Sequence, residues 1–273
     1  MITKLRSSLL LTALLLVSTT GCLSLDLLLK VAPDGTGRLF TEVRIQKAYL
    51  QMAEGLLGDD TSGQPGAGGM FSDDNLERMA ARLGEGVQLV SSKVVEDDTS
   101  RGVRAEFSVP DVTKLSLGEL PVSPTRGKTQ FTLEPAKDGR SSVFSLTFPP
   151  VEGKQGQPLM SGADVAQMKD LLQGLKIDFA IEVPGKIIET NSPFVQGNRV
   201  TVASLDLDQL LASPKAVETL TSTPAASVAE VGRLLNDFPG VSFHPEDTLT
   251  IEFRAPAAKQ AAEAPAAKGG SDR

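Results

Sequence analysis

Two residue types that often carry chemistry occur once each in this 273-residue chain, a cysteine and a histidine. Cys22 lies in "TTGCLSL", where a run of leucines ends, and His244 lies in "FHPED". A single histidine excludes a zinc site built from several histidines. A Ser-His-Asp triad would have to use His244, with Asp247 near it in sequence, but no Gly-x-Ser-x-Gly elbow accompanies it. We therefore predict that His244 is a solvent-exposed turn residue without a catalytic role.

Carboxylates are the other candidates for chemistry. Asp206 and Asp208 in "LDLDQLL" could offer oxygens to calcium, but the glycine and spaced ligands of an EF-hand loop are missing, so a solvated face is predicted. Asp73 and Asp74 complement the positive N-terminal end of a predicted helix without a metal. Carboxylate-pair hydrolysis needs only Asp and Glu, yet nothing in the sequence selects a pair. No catalytic, cofactor-binding or metal-binding residue is predicted.

The first 21 residues have the order of a secretory signal peptide. Lys4 and Arg6 form a short basic region, the apolar run "LLLTALLLV" follows, and small polar residues precede Cys22. The apolar run is shorter than the roughly 20 residues that a transmembrane helix needs. The sequence therefore predicts an exported protein whose residues 1–21 are removed.

The residues before the cysteine resemble the lipobox of bacterial lipoproteins. In that motif small residues, here Thr20 and Gly21, precede a cysteine that receives diacylglycerol through a thioether and becomes the acylated N-terminus. The resemblance implies that Cys22 is the lipidation site, carrying fatty acids such as palmitate, and that the membrane is a partner. Leu23 after the cysteine favours the outer membrane by analogy with enterobacterial sorting. The alternative is ordinary cleavage, which leaves a free thiol in an oxidising compartment.

Composition excludes two classes of ligand. The formal net charge of −7 becomes −9 without Lys4 and Arg6, and no basic cluster occurs, so nucleic acid is not expected as a partner. With no Trp and one Tyr, the chain offers no aromatic platform for a sugar.

Hydrophobic periodicity predicts many short strands with a few helices between them. Leu25, Leu27, Leu29 and Val31 alternate with polar residues, and "PDGTG" is turn chemistry, which predicts an N-terminal hairpin. "FPGVSFHPEDTLTIEFR" reads as a closing hairpin. A helix followed by two strands occurs near residues 75–107 and again near 231–253. Further strands are predicted at 87–96, 102–109, 128–134, 142–148, 177–183, 187–189 and 197–206, and helices at 47–57, 72–84, 162–174 and 224–237.

These elements predict an α+β fold with a mostly antiparallel sheet of hairpins and several packed helices. The predicted body covers residues 22–254, and a division into two subdomains near 150–162 is left open. Residues 255–273 are rich in Ala and Pro and contain no core-forming side chains, so they are predicted to be a disordered tail.

The order of the elements resembles that of uncharacterised bacterial lipoproteins of the mycobacterial LppM type. The similar stretches are "CLSLDLLLKVAPDGTGRL", "LKIDFAIEVPGKIIETN" and "LNDFPGVSF…TLTIEFR", which together span roughly residues 22–254. The resemblance implies an envelope-anchored α+β domain, and some of these relatives are thought to handle envelope lipids.

Three functions are consistent with the sequence. The preferred one is a non-enzymatic, membrane-anchored envelope lipoprotein that binds a lipid or a protein of the envelope. Lipid binding would require an apolar cleft, expected between the sheet and the helices at 162–174 or 224–237. A structural or assembly lipoprotein without a ligand cleft is the second possibility. A carboxylate-based hydrolase is the third.

Overall fold

The computed structural model describes residues 23–51, 71–117, 129–148, 161, 165, 173–223 and 228–256. These residues contain twelve strands and four α-helices, whose bounds are given below, together with a short helical stretch at 47–51. The strands are β1 (Leu23–Val31), β2 (Gly37–Gln46), β3 (Gln88–Glu96), β4 (Ser100–Val109), β5 (Gln130–Pro135), β6 (Ser142–Thr147), β7 (Lys176–Glu182), β8 (Lys186–Thr190), β9 (Val195–Gln196), β10 (Arg199–Asp206), β11 (Val241–Phe243) and β12 (Thr248–Arg254). The helices are α1 (Asp73–Leu83), α2 (Leu207–Leu211), α3 (Pro214–Ser222) and α4 (Val228–Leu235).

The larger sheet has eight strands and is organised around β1. Its order is β11-β10-β7-β1-β2-β4-β3, and the short β9 also pairs with β10. Leu25, Leu27, Leu29 and Val31 of β1 are buried, as the alternation predicts. Pairing between β1 and β2 is antiparallel, which confirms the N-terminal hairpin, and the turn contains Gly35 with a φ of 87°.

A second sheet of four antiparallel strands has the order β5-β6-β12-β8. Buried side chains of both sheets belong to one core: Leu29 and Phe107 from the first sheet join Phe144 and Phe253 from the second, each essentially inaccessible to solvent. The 3₁₀ turn Val112–Lys114 contributes the buried Val112 to this same core. Two sheets therefore enclose the main core between them.

The α+β prediction of a mostly antiparallel sheet of hairpins is wrong. The protein is mostly β, with two sheets, and the larger sheet is mixed because β1 and β7 are parallel neighbours. The physical reason is that β1 has two edges: one pairs with the adjacent β2, and the other is filled by a strand about 150 residues later in the chain.

The predicted closing hairpin is also wrong. β11 pairs with β10 in the first sheet, whereas β12 pairs with β6 and β8 in the second. The Pro184–Gly185 turn likewise separates β7 of the first sheet from β8 of the second. A turn sequence reverses the chain but does not determine which strand the next strand will pair with. The two similar helix-strand-strand stretches therefore differ. β3 and β4 form a hairpin, whereas β11 and β12 do not.

Helices cover parts of the core. α1 begins and ends within the predicted range 72–84, with Asp73 and Asp74 in its first turn and Leu76, Ala80 and Leu83 buried. α2, α3 and α4 enclose a smaller apolar cluster with the strand ends: Leu175, Leu207, Leu210, Ala216, Leu220, Leu235 and Val241. The sequence analysis missed α2 and α3, although Ser213 and Pro214 are typical N-cap and N1 residues.

The main core contains residues from both sides of the boundary considered at 150–162, since β5 and β6 share the second sheet with β8 and β12. The predicted signal peptide, nearly all of the boundary segment and nearly all of the predicted tail lie outside the described residues. The predicted helix at 162–174 also lies largely outside them.

Gly185 gives a test of the connection between the sheets. Its φ is +80°, and a Cβ there would lie 2.3 Å from the carbonyl oxygen of Arg254, whereas Gly197, at φ +65°, has open space. Gly197→Ala should cost about 1–2 kcal/mol because an L-residue is strained at positive φ. Gly185→Ala should cost about 1–3 kcal/mol more because of the clash, measured by urea unfolding. Equal losses in both variants would contradict this contact.

Candidate functional site

The N-terminal end of β1 is the first candidate site. Cys22 itself lies outside the described residues, but the next residue, Leu23, already belongs to β1 and pairs with Ile45. Leu23 also packs against the smaller apolar cluster beneath α2, α3 and α4. Any group attached to Cys22 would therefore be joined to the folded body without an intervening linker.

His244 is not the exposed turn residue that the sequence predicts. Only 1% of its surface is accessible, and its Nε2 lies 3.2 Å from the carbonyl oxygen of Thr248. Its Nδ1 is buried without a hydrogen-bond partner among the described residues. Burial lowers the pKa of His244 below its ordinary value, against the opposing effects of the Thr248 carbonyl and Glu246. Neither ring nitrogen bonds to a hydroxyl or carboxylate within the described residues, so no triad is assembled on His244.

Asp206 and Asp208 do not simply face solvent. Asp206 caps α2 by accepting from the Gln209 N–H and forms an ion pair with Lys176, with 2.9 Å between Nζ and Oδ2. Burial opposes ionisation here, but the hydrogen bonds from Lys176 and Gln209 outweigh it and lower the pKa of Asp206. Asp208 accepts from the Gly174 N–H at 2.8 Å. Both carboxylates are thus used to fix the end of β10 against β7 and the chain that precedes it.

The outer face of the larger sheet brings together carboxylates that the sequence analysis did not group. Asp26 on β1 lies opposite Glu42 on β2 and Asp178 on β7. Partial burial, Asp178 and Glu42 raise the pKa of Asp26. Glu42 behaves in the opposite way: burial opposes ionisation, but hydrogen bonds from Arg44 and Arg104 lower its pKa.

This acidic row could be found only from the sheet order, since Asp26 and Asp178 meet through the parallel pairing of β1 with β7. The row lies on a sheet face where Asp26 is exposed, not in a deep cleft. Among the described residues, no group of three or more His, Cys, Asp or Glu has the arrangement of a metal site. The row therefore provides interacting carboxylates without the enclosure that a hydrolase site needs.

Two open grooves lie at the end of the larger sheet where the β1–β2 turn is found. One has a volume of about 620 Å³, is lined by both charged and apolar residues, and includes Lys30, Arg38 and Glu182. The other, of about 500 Å³, lies between that turn and the second sheet and includes Asp34, Asp111 and Glu134. The two grooves share Pro33 and Pro110, so together they form one continuous surface, which we call the turn-end surface.

One of the two expected apolar clefts would lie between the sheet and the helix at 224–237, but α4 packs closely against β11 there. Ala229 and Leu235 of α4 are buried, and at Gly232 the helix approaches so closely that a Cβ would be 3.0 Å from the Cβ of Phe243. The other expected cleft, beside residues 162–174, falls largely outside the described residues. In the described part of the chain, no helix is both long enough and apolar enough to cross a membrane.

Comparisons with known proteins give little further information. No protein-family model matches the chain, and no curated protein matches it. Among solved structures, the folded domain of LppM from Mycobacterium tuberculosis, determined by NMR, is a weak structural neighbour. The alignment has 10% sequence identity and a TM-score of 0.34, and it covers 89% of this chain and 95% of that domain.

The role of Asp206 is directly testable. Because its oxygens are engaged by Lys176 and Gln209, millimolar calcium should leave the melting temperature of the wild-type protein unchanged. Asp206→Ala should lower stability by about 1 kcal/mol through loss of the N-cap. Thermal unfolding followed by circular dichroism measures both effects. A calcium-dependent rise in melting temperature that disappears in Asp206→Ala would contradict this assignment.

Proposed function

We propose that this chain is a lipid-anchored protein of the bacterial cell envelope that acts as a binding module and not as an enzyme. Cys22 is the lipid attachment site, and residues 1–21 are its signal peptide. The main supporting observation is that β1, the central strand of the larger sheet, begins at the residue after Cys22. Diacylglyceryl and acyl chains at that position would hold the body directly against the bilayer, since each buried CH₂ contributes about 0.8 kcal/mol.

This arrangement determines which end of the folded body lies nearer the membrane. The nine residues of β1 span about 26 Å from the anchor end to the turn, at roughly 3.3 Å per residue. The turn-end surface therefore faces away from the membrane. By analogy with enterobacterial sorting, Leu23 supports an outer-membrane location for the proposed anchor.

The ligand class follows from the shape and lining of the turn-end surface. A bound acyl chain requires an enclosed apolar cavity, whereas both grooves are open and contain carboxylates or ion-paired side chains such as Lys30 and Glu182. Such a surface suits a protein segment, whose backbone and polar side chains can pair with it. We therefore favour a protein partner of the envelope over a lipid.

The anchor is tested by mass spectrometry of the protein isolated from bacterial membranes. The mature N-terminal peptide should begin at Cys22 and carry a diacylglyceryl group, and Cys22→Ser should abolish the modification and retain residues 1–21. A matched variant, Cys22→Ser with Ser24→Cys, keeps one thiol but moves it two residues, and should also stay unmodified. An unmodified wild-type N-terminus at or near Cys22 would refute the anchor.

The partner class is tested with a photo-crosslinking amino acid at Gln88, which is exposed and lines the larger groove. Asp98 is the matched control, because it is exposed at the opposite end of the same β3–β4 hairpin. Illumination of intact cells should give a discrete protein adduct from position 88 and none from position 98. Adducts to lipid at position 88, or identical adducts at both positions, would contradict a protein-binding turn-end surface.

A further inference from the structure

The buried imidazole of His244 lies where the two sheets are joined. Residues 244–247 carry the chain from β11 of the first sheet to β12 of the second. The His244 backbone N–H donates to the carbonyl oxygen of Val202 in β10 at 2.9 Å, while Nε2 faces the carbonyl oxygen of Thr248 in β12. The residue therefore has hydrogen-bonding contacts with both sheets.

The contacts of the ring define its protonation state. A carbonyl oxygen can only accept a hydrogen bond, so Nε2 carries the proton of the neutral ring and Nδ1 carries none. Nδ1 is buried without a partner among the described residues, and the Phe148 ring lies 6.4 Å away between centroids. A second proton would create a buried N–H without an acceptor and a positive charge in a poorly solvated position, both of which are costly.

Charged groups around the imidazole come from its own connection and from α4. Glu246 favours the protonated ring, but its carboxylate also accepts from the Asn191 side-chain amide at 2.9 Å. Arg233 of α4 donates to the Pro245 carbonyl oxygen at 2.9 Å. Asp247 accepts through its backbone oxygen from the N–H of Phe148, the residue after β6. Burial outweighs the effect of Glu246, so the pKa of His244 is lowered.

We propose that His244 is an acid-sensitive latch between the two sheets. The neutral ring keeps the 244–247 connection closed, and protonation at Nδ1 releases it. Because Arg233 ties this connection to α4 and Phe148 ties it to β6, its release loosens α4 and the adjoining ends of β6 and β12 together. The device depends on the position of one buried side chain and is separate from the anchor and the turn-end surface.

The direction of the pH effect follows from linkage. In the open state the imidazole is hydrated and has its ordinary pKa of 6.5, whereas the closed state has a lower one. The closed state is thus fully favoured above pH 6.5, and its advantage is lost as the pH falls from 6.5 through the lowered pKa. Each unit of difference between the two pKa values corresponds to a tenfold change in the closed-to-open ratio.

Two measurements on the mature protein in detergent micelles test this latch. NMR of ¹³Cε1-labelled histidine gives a single signal because the chain has one histidine, and it should titrate below 6.5. Hydrogen exchange should be followed at the amides of Phe243 and His244, which donate to Asn236 Oδ1 and to the Val202 carbonyl oxygen. After correction for intrinsic rates, the exchange of these amides should accelerate on acidification. The acceleration should be up to tenfold for each unit by which the imidazole pKa of the closed state lies below that of the open state.

Two variants isolate the role of the imidazole. His244→Gln keeps a side-chain donor for Thr248 but cannot titrate, so the acid-dependent acceleration should disappear. Glu246→Gln removes the nearby carboxylate and should move both the imidazole titration and the acceleration to lower pH. A wild-type imidazole that titrates at or above 6.5 would overturn the proposal, and so would an acceleration that persists in His244→Gln. If the Gln variant does not fold, the wild-type protein still decides the matter, because a wild-type exchange rate that does not accelerate on acidification would also overturn the proposal.

Discussion

The position of β1 at the centre of the larger sheet is the constraint on which the rest of this structure depends. Leu25, Leu27, Leu29 and Val31 form part of the main core, and the two edges of β1 are filled by β2 and β7. Because both neighbours are needed to satisfy its backbone groups, β1 cannot be displaced without disrupting the sheet. A lipid on Cys22 would therefore be attached next to a strand that is paired along both edges.

A second feature is the repeated passage of the chain between two sheets. The chain leaves the first sheet for β5 and β6 and returns for β7. It leaves again for β8, returns for β9, β10 and β11, and ends in the second sheet with β12. At one passage, Gly185 allows the backbone to approach Arg254 closely. At the passage from β11 to β12, the side chain of His244 is buried. Both sites combine tight packing with an unusual backbone or a buried polar group, which makes them sensitive reporters of the fold.

The smaller apolar cluster and the turn-end surface are separated along the length of β1. The smaller apolar cluster beneath α2, α3 and α4 lies at the Leu23 end of β1, and the turn-end surface lies at the other end. The carboxylate row of Asp26, Asp178 and Glu42 is between them on the outer face, where solvent has access. An arrangement of this kind suits a protein that presents a recognition surface at a defined distance from a membrane.

Local features of this protein were readable from sequence because they depend on neighbouring residues. Alternation identified β1 and β2, turn chemistry identified their connection, and the first-turn acids identified α1. The same local reasoning overlooked α2 and α3, where the capping signals at Asp206 and Ser213 were present but not used. The N-terminal pattern around Cys22 is also local, and it is the basis of the proposed anchor.

Tertiary structure alone decided the strand partners. Which strands pair across long sequence separations depends on how the apolar faces of the two sheets are buried together. No single stretch of sequence contains that information. For that reason the sequence predicted hairpins where β11 and β12 join different sheets, an exposed His244 where the ring is buried, and no link between Asp26 and Asp178. The sequence determined which segments are strands and where an anchor is expected, and long-range packing determined which side chains meet.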